Sequence, residues 1–256
     1  MKDRNFDDLC DHFERKIYQS EKGRLRLALL NEDLKTQLPE LQHRKLHILD
    51  AGCGLGQLGL QFLGQGHQLV FSDVSERMLA AVQMRSRDVH GHQQAKFIHS
   101  DVQNLPSKVS VAYDLVLFHA VLEWLASPLE GLQAAAALVK PGGVLSLMFY
   151  NRDGLTFRNL VRGNLRKVKS GQYRGDHKSL TPINPLTLSE VHRWLTELGL
   201  EVRSTSGIRV FYDYMSKEAR ERIPFDDILE MELALFQTPP YANMGRYLHL
   251  VCIKPV

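Results

Sequence analysis

Cysteine is nearly absent from this 256-residue sequence. Cys10, Cys53 and Cys252 lie far apart, form no CxxC pair and leave one thiol over in any pairing scheme. A disulfide framework is therefore excluded, no metal site is indicated, and a reducing cytoplasmic compartment is expected. Long apolar runs are missing as well. No stretch approaches the roughly 18 residues of a membrane span, and the opening MKDRNFDDLCDHFERK is charged throughout where a secretory signal would be apolar. The expectation is a chain that is neither secreted nor embedded in a membrane. There is no internal repeat and no low-complexity tract. A large charge of one sign is also lacking, since 32 Lys and Arg stand against 29 Asp and Glu.

What is present is the composition of a folded enzyme-sized domain, 44% hydrophobic and 24% charged. A chain of this length buries about three quarters of its unfolded surface without a metal or disulfide staple. One domain over residues 1–256 is expected, with a helical cap over residues 1–44 and a basic, substrate-binding insertion over residues 151–184. The near-neutral total conceals that insertion. It carries Arg152, Arg158, Arg162, Arg166, Lys167, Lys169, Arg174 and Lys178 against Asp153 and Asp176, a local charge of +6 in a chain of +3.

Hydrophobic periodicity predicts the element order. Phe6, Leu9, Phe13 and Ile17 make a helical stripe, and a second helix is expected over residues 22–38. Short apolar runs then alternate with helical stretches: HILDAG, a helix at 56–64, HQLVFSD, a helix at 75–87, AKFIHSD, YDLVLFHA, a helix at 124–139 and GGVLSLMFY. After the insertion come a helix at 185–198, one or two strands at 201–215, a charged amphipathic helix at 216–236 and a last strand at 247–253. Such alternation implies an α/β fold, doubly wound, with a mainly parallel sheet and helices on both faces. Ligands of such folds collect at the strand C-terminal ends.

The most informative segment is HILDAGCGLG, a buried strand running into Gly52, Gly54 and Gly56. Missing side chains there let a backbone turn tightly and approach a small molecule. The spacing is not the G-x-G-x-x-G of dinucleotide sites. Asp50 can fix the loop or a cationic group. Asp73 ends the second strand, where a carboxylate accepts both ribose hydroxyls. Asp101 closes the third, placing Val102 and Gln103 beside an adenine ring. His119 follows the fourth strand and is read as touching donor or substrate, a structural histidine being the alternative. Arg26 could pair with a ligand carboxylate, and an ordinary surface arginine is the competing reading.

Glycine loop, Asp73, Asp101 and the later KPGG turn together resemble the class I S-adenosylmethionine-dependent methyltransferases over roughly residues 45–150. The segments RNFDDLCDHFERKIY, KGRLRLALL, ILDAGCGLGQ, DLVLFHAVLEWL, KPGGVLSLMFYN, GIRVFYDY and GRYLHL extend the likeness from end to end. On these the sequence is similar to the bacterial tRNA 5-carboxymethoxyuridine methyltransferases. The resemblance implies S-adenosyl-L-methionine as cofactor, with donor contacts at Arg26, Gly52, Cys53, Asp73, Val102, Gln103 and His119. Cys53 departs from the glycine that such a loop most easily takes. It also implies a tRNA partner, the anticodon stem-loop, and methyl esterification of the wobble (U34) 5-carboxymethoxyuridine.

A carboxylate acceptor is already ionised at pH 7, so no general base is needed. A sulfonium and a carboxylate become neutral products, so strong cationic contacts would favour the ground state, and one positioning Arg is expected. Arg209 and Arg246, with Tyr150 and Tyr212, are the candidates. For Arg209, pairing with Asp213 or with the acidic helix is the alternative. Phe149, Tyr150 and Tyr173 are possible stacking platforms for a splayed base. The basic insertion is read as following the RNA backbone. The rivals are a small-molecule O- or N-methyltransferase, a non-catalytic RNA-binding module, and transfer of a carboxymethyl group from a carboxylated donor.

Overall fold

The computed structural model describes residues 3–5, 7, 20–171, 173 and 182–256. The stripe at Phe6, Leu9, Phe13 and Ile17, and with it Cys10, Arg174 and Lys178, lies outside the described residues.

Seven strands make one sheet: β1 (His47–Ala51), β2 (Gln68–Asp73), β3 (Ala95–His99), β4 (Tyr113–His119), β5 (Val139–Tyr150), β6 (Glu201–Ile208) and β7 (Tyr247–Ile253). Their order is β3-β2-β1-β4-β5-β7-β6. The first five pair in parallel, and β7 runs antiparallel between β5 and β6. The doubly wound, mainly parallel arrangement expected from the sequence is thus observed. The chain reverses its direction of winding between β1 and β4, and a crevice opens outside their carboxyl ends, where ligands of such sheets bind.

Apolar alternation along the strands puts one set of side chains on each face. Leu49, Ala51, Val70, Val116, Phe118, Leu145 and Leu147 meet Leu132 and Ala135 of α6 (Pro128–Ala137) and Val191 and Leu195 of α9 (Leu188–Glu197). Ile48, Leu69, Phe71, Leu115 and Leu117 meet Leu34 of α1 (Glu21–Gln37), Leu58 and Phe62 of α3 (Gln57–Gly64) and Val82 of α4 (Glu76–Ser86). Two short helices, α2 (Glu40–His43) and α5 (Leu105–Lys108), are single turns. Caps fix several starts. Ser20 accepts from the Gly23 amide of α1, and Thr187 and Glu190 form a reciprocal capping box on α9.

Three expectations change. The helix foreseen at 124–139 is a 3-10 turn, Leu122–Trp124, followed by α6, whose first residue is Pro128, the position a proline favours. The helix foreseen at 216–236 is two, α10 (Lys217–Arg222) and α11 (Phe225–Leu235). Ile223 between them is extended because Pro224 disfavours helical backbone in the residue before it. The basic segment, to which the periodicity assigns no element, contains α7 (Arg152–Val161) and α8 (Leu165–Ser170). Asn151 caps α7 by accepting from the Asp153 amide. Among the described residues no helix is long and apolar enough to cross a membrane.

Candidate active site

Gly52, Gly54 and Gly56 all take positive φ, at 71°, 54° and 66°, as β1 turns into α3. A Cβ on Gly52 would collide with the Cγ2 of Val121. That position is therefore closed to any side chain, both by conformation and by space. Gly52 and Cys53 donate their amides to the Ser72 carbonyl at 2.8 and 2.9 Å, stitching the loop to β2. Asp73 completes the clamp. Its two oxygens accept from Gly54 N and Ser75 N, each at 2.8 Å, which holds the carboxylate at the strand end with lone pairs to spare. Burial raises its pKa from the ordinary value, opposed by those amides.

A cavity of about 140 Å³ lies over this loop and is lined by Gly52, Gly54, Asp73, Val102, Gln103, His119 and Arg26. A smaller one of about 60 Å³ is lined by Asp50, Cys53, Gln57, Gly52, Arg26 and His119. The sequence-derived donor residues are thus brought together around two adjoining compartments. Asp50 is 7% exposed, and burial with the neighbouring Asp73 charge pushes its carboxyl up to about 7. A cationic group entering beside it would hold it ionised. The Cys53 thiol is pushed up by burial, so it is a packing group there. Burial, with the neighbouring Arg26 charge, holds His119 well below the ordinary histidine range.

A larger depression, about 880 Å³, is an open groove between α1, α2 and α3 near Arg44, Lys45 and His67. It sits at the amino ends of β1 and β2, the wrong edge for a ligand of this sheet.

At the acceptor side the four candidates separate. Arg209 is 7% exposed and donates through Nε to Asp213 Oδ2 at 2.7 Å. It is an internal ion-pair member, the alternative that the sequence left open, and a positioning role for it is withdrawn. Its φ of 63° is sustained by Glu232, which accepts from the amides of Val210, Phe211 and Tyr212. Tyr212 donates its hydroxyl to Glu21 Oε2 at 2.7 Å and is likewise committed. Tyr150 and Arg246 differ from both. The Arg246 guanidinium lies 4.5 Å over the Tyr150 ring, yet its Nη1 and the Tyr150 hydroxyl are buried without a hydrogen-bond partner among the described residues. Tyr150 in turn stacks edge-on against Tyr247, at 5.1 Å, and Tyr247 lines the larger cavity.

Other assignments also change. Phe149 is fully buried and Tyr173 is tied to Thr156 at 2.8 Å, so neither is an open platform for a base. Arg152 pairs with Glu190 at 3.0 Å, and its charge is already matched. Arg158 donates to the Asp213 carbonyl at 3.3 Å, while Arg162, Arg166, Lys167 and Lys169 have no carboxylate partner among the described residues. Phe157, Leu160, Val161 and Leu165 are exposed among these cations.

Sequence reasoning missed Glu123 and Asp3. Glu123 is fully buried, and burial pushes its acid up to about 8, opposed by the backbone of Tyr150 and by its own. An acid inside the apolar run AVLEWL was the available signal. Asp3 bridges Gln103 Nε2, at 2.9 Å, and the Ala126 amide, at 2.6 Å, across the cavity rim. No local pattern marks it. Among the described residues no cluster suits a metal ion.

Three comparisons bear on this arrangement. A family model described as a methyltransferase domain matches residues 49–145. The tRNA 5-carboxymethoxyuridine methyltransferase of Escherichia coli strain K12 is 39% identical over 255 residues, covering 100% of this chain and 98% of that protein. A ubiquinone biosynthesis O-methyltransferase of Leptothrix cholodnii is 30% identical over 163 residues, 64% of this chain and 67% of the other. Among solved structures, magnesium protoporphyrin IX methyltransferase from Synechocystis PCC 6803 with bound SAH superposes with a TM-score of 0.64 at 17% identity, covering 97% of this chain and 96% of that one. That last likeness speaks to the fold. The full-length match, together with a glycine loop, a clamped Asp73 and a cavity at the β1/β4 switch point, places this chain in the family of tRNA 5-carboxymethoxyuridine methyltransferases.

Proposed function

We propose that this chain methylates the carboxylate of 5-carboxymethoxyuridine at the tRNA wobble position, with S-adenosylmethionine as donor. The observation that carries the acceptor assignment is the pair of buried, unpartnered donors at the ends of β5 and β7, Tyr150 Oη and Arg246 Nη1. Buried polar atoms without partners are rare, and two donors on side chains in contact suit one carboxylate. The donor cavity fits its ligand on independent grounds. It has a floor at Gly52 that a Cβ would block, Asp73 clamped for a ribose, and Asp50 able to ionise beside a cation.

Bound there, the sulfonium donor supplies an electrophilic methyl group. The chain's residues have no proton to remove, because the acceptor acid is ionised before it arrives. Arg246 and Tyr150 orient one carboxylate oxygen, and burial excludes competing water. A single available guanidinium is the economical number, since charge vanishes as the bond forms. Arg209 is neutralised by Asp213 and adds no second cation. Glu123, a neutral acid near pH 7, adds no repelling anion. Arg158 reaches Asp213 from α7, so the basic helix adjoins the acceptor end, and Arg162, Arg166, Lys167 and Lys169 continue outward as a track for phosphates. Residues 151–184 act in this reading as the tRNA-contacting insertion of a single-domain enzyme.

The test is nucleoside mass spectrometry of tRNA from cells lacking the gene, complemented with wild type or Arg246→Met. Loss of the methyl ester with the free acid accumulating, restored by wild type and not by the variant, is expected. An unchanged ester level in the deletion overturns the reading.

A further inference from the structure

His119 does not stand alone at the cavity wall. Its Nε2 lies 2.7 Å from Ser146 Oγ, which lies 2.7 Å from His249 Nε2. On the far side, His249 Nδ1 is 2.6 Å from Asp33 Oδ2, and Asp33 Oδ1 accepts from Gln237 Nε2 at 2.9 Å. Ser146, His249 and Asp33 are all fully buried. The chain of contacts crosses from β4 through β5 and β7 to α1, so it ties the donor cavity to a helix outside the sheet.

Donor and acceptor counting gives this chain a direction. A carboxylate can only accept, so His249 donates from Nδ1 to Asp33. We take the His249 ring to carry that one proton only, so that its Nε2 accepts the Ser146 hydroxyl proton. The hydroxyl oxygen then accepts, and what remains to fill it is an N–H on His119 Nε2. His119 is left with an unprotonated Nδ1. We propose that Asp33, acting through His249 and Ser146, is a positioning residue that fixes His119 as the Nε2–H tautomer, so that the ring offers the donor cavity an electron pair instead of an N–H. Such a wall favours a cationic ligand over its neutral counterpart, which is the difference between S-adenosylmethionine and its demethylated product. The proposal rests on the donor-site reading above.

Asp33→Asn tests it, because the amide should reverse the whole chain. Gln237 Nε2 also donates to Ser206 Oγ at 3.2 Å, so it keeps an oxygen of residue 33 facing it. The new amide nitrogen then faces His249 Nδ1, which must accept. His249 would donate from Nε2 to Ser146, Ser146 to His119, and His119 would carry its proton on Nδ1. An amide in place of a carboxylate imposes the wrong tautomer on a histidine in this way elsewhere.

The experiment has two readouts on the full-length protein. Ring 15N shifts should show His119 protonated at Nε2 in the wild type and at Nδ1 in Asp33→Asn. Calorimetry with S-adenosylmethionine and S-adenosylhomocysteine should show the preference for the cationic ligand falling roughly tenfold in the variant, about the worth of one hydrogen bond. A wild-type His119 protonated at Nδ1, or a preference for the cation that Asp33→Asn leaves unaltered, overturns the proposal. Should Asp33→Asn fail to fold, the wild-type spectrum still decides, and Ser146→Ala, which cuts the chain beside His119, takes its place in the calorimetry with the same expected loss of preference. A wild type that binds neither ligand refutes the donor-site reading instead, so the two failures are distinguishable.

Discussion

Asp50 gives the most quantitative test of the site, because its burial has an energetic signature that is independent of catalysis. Its carboxyl is pushed up to about 7, against about 3.9 for an unperturbed aspartate. A group whose folded pKa is raised makes the native state bind more protons than the unfolded state between those two values. Stability from this group is therefore full below about pH 4, falls as pH rises towards 7, and is flat beyond. Three units of displacement correspond to about 4 kcal/mol, of which about 3 kcal/mol falls between pH 5 and 8. Asp50→Asn keeps the shape and removes the charge. In urea denaturation at pH 5, 6, 7 and 8, the stability of the wild type relative to the variant should fall by about 3 kcal/mol across the series. The ligand behaves oppositely. S-adenosylmethionine should bind the wild type more tightly as pH rises through 7, releasing a proton, whereas Asp50→Asn should bind it weakly at every pH. Stability profiles that run parallel, with a gap constant to within about 1 kcal/mol, would show that Asp50 does not titrate as its burial requires.

Gly52→Ala places a side chain at φ 71° and against Val121. It should lower stability by about 1–2 kcal/mol, read by denaturation, and abolish donor binding, read by calorimetry. Replacing Arg162, Arg166, Lys167 and Lys169 together with alanine should weaken tRNA binding at low salt and flatten the slope of log affinity against log salt by roughly 3, since each neutralised phosphate contributes about 0.7–0.9. Donor affinity should stay unchanged, which separates an RNA track from a lid over the cavity.

The grouping of residues around the two candidate cavities was largely legible because they fall where one element ends and the next begins. Gly52 and Gly54 follow β1, Asp73 ends β2, Val102 and Gln103 follow β3, and His119 ends β4. A strand-end residue in a parallel sheet is delivered to one edge by the topology alone. The acceptor side was not legible in this way. Arg209 and Arg246 look equivalent in sequence, each beside aromatic residues, and only the 2.7 Å contact with Asp213 removes Arg209 from candidacy. Tyr212 and Tyr150 look alike too, until Glu21 is found on one hydroxyl and, among the described residues, no partner on the other.

Periodicity and turn chemistry thus determined the strands, most helices and the cradle for a small ligand, because those depend on neighbours within a few residues. Partner choice among buried charges depends on groups brought together across the sheet. Asp33 meets His249 from 216 positions away, and Arg246 covers Tyr150 because β7 runs back beside β5. Local pattern carries no term for such meetings, so the tertiary fold alone decided which polar atoms are satisfied and which are left without a partner among the described residues.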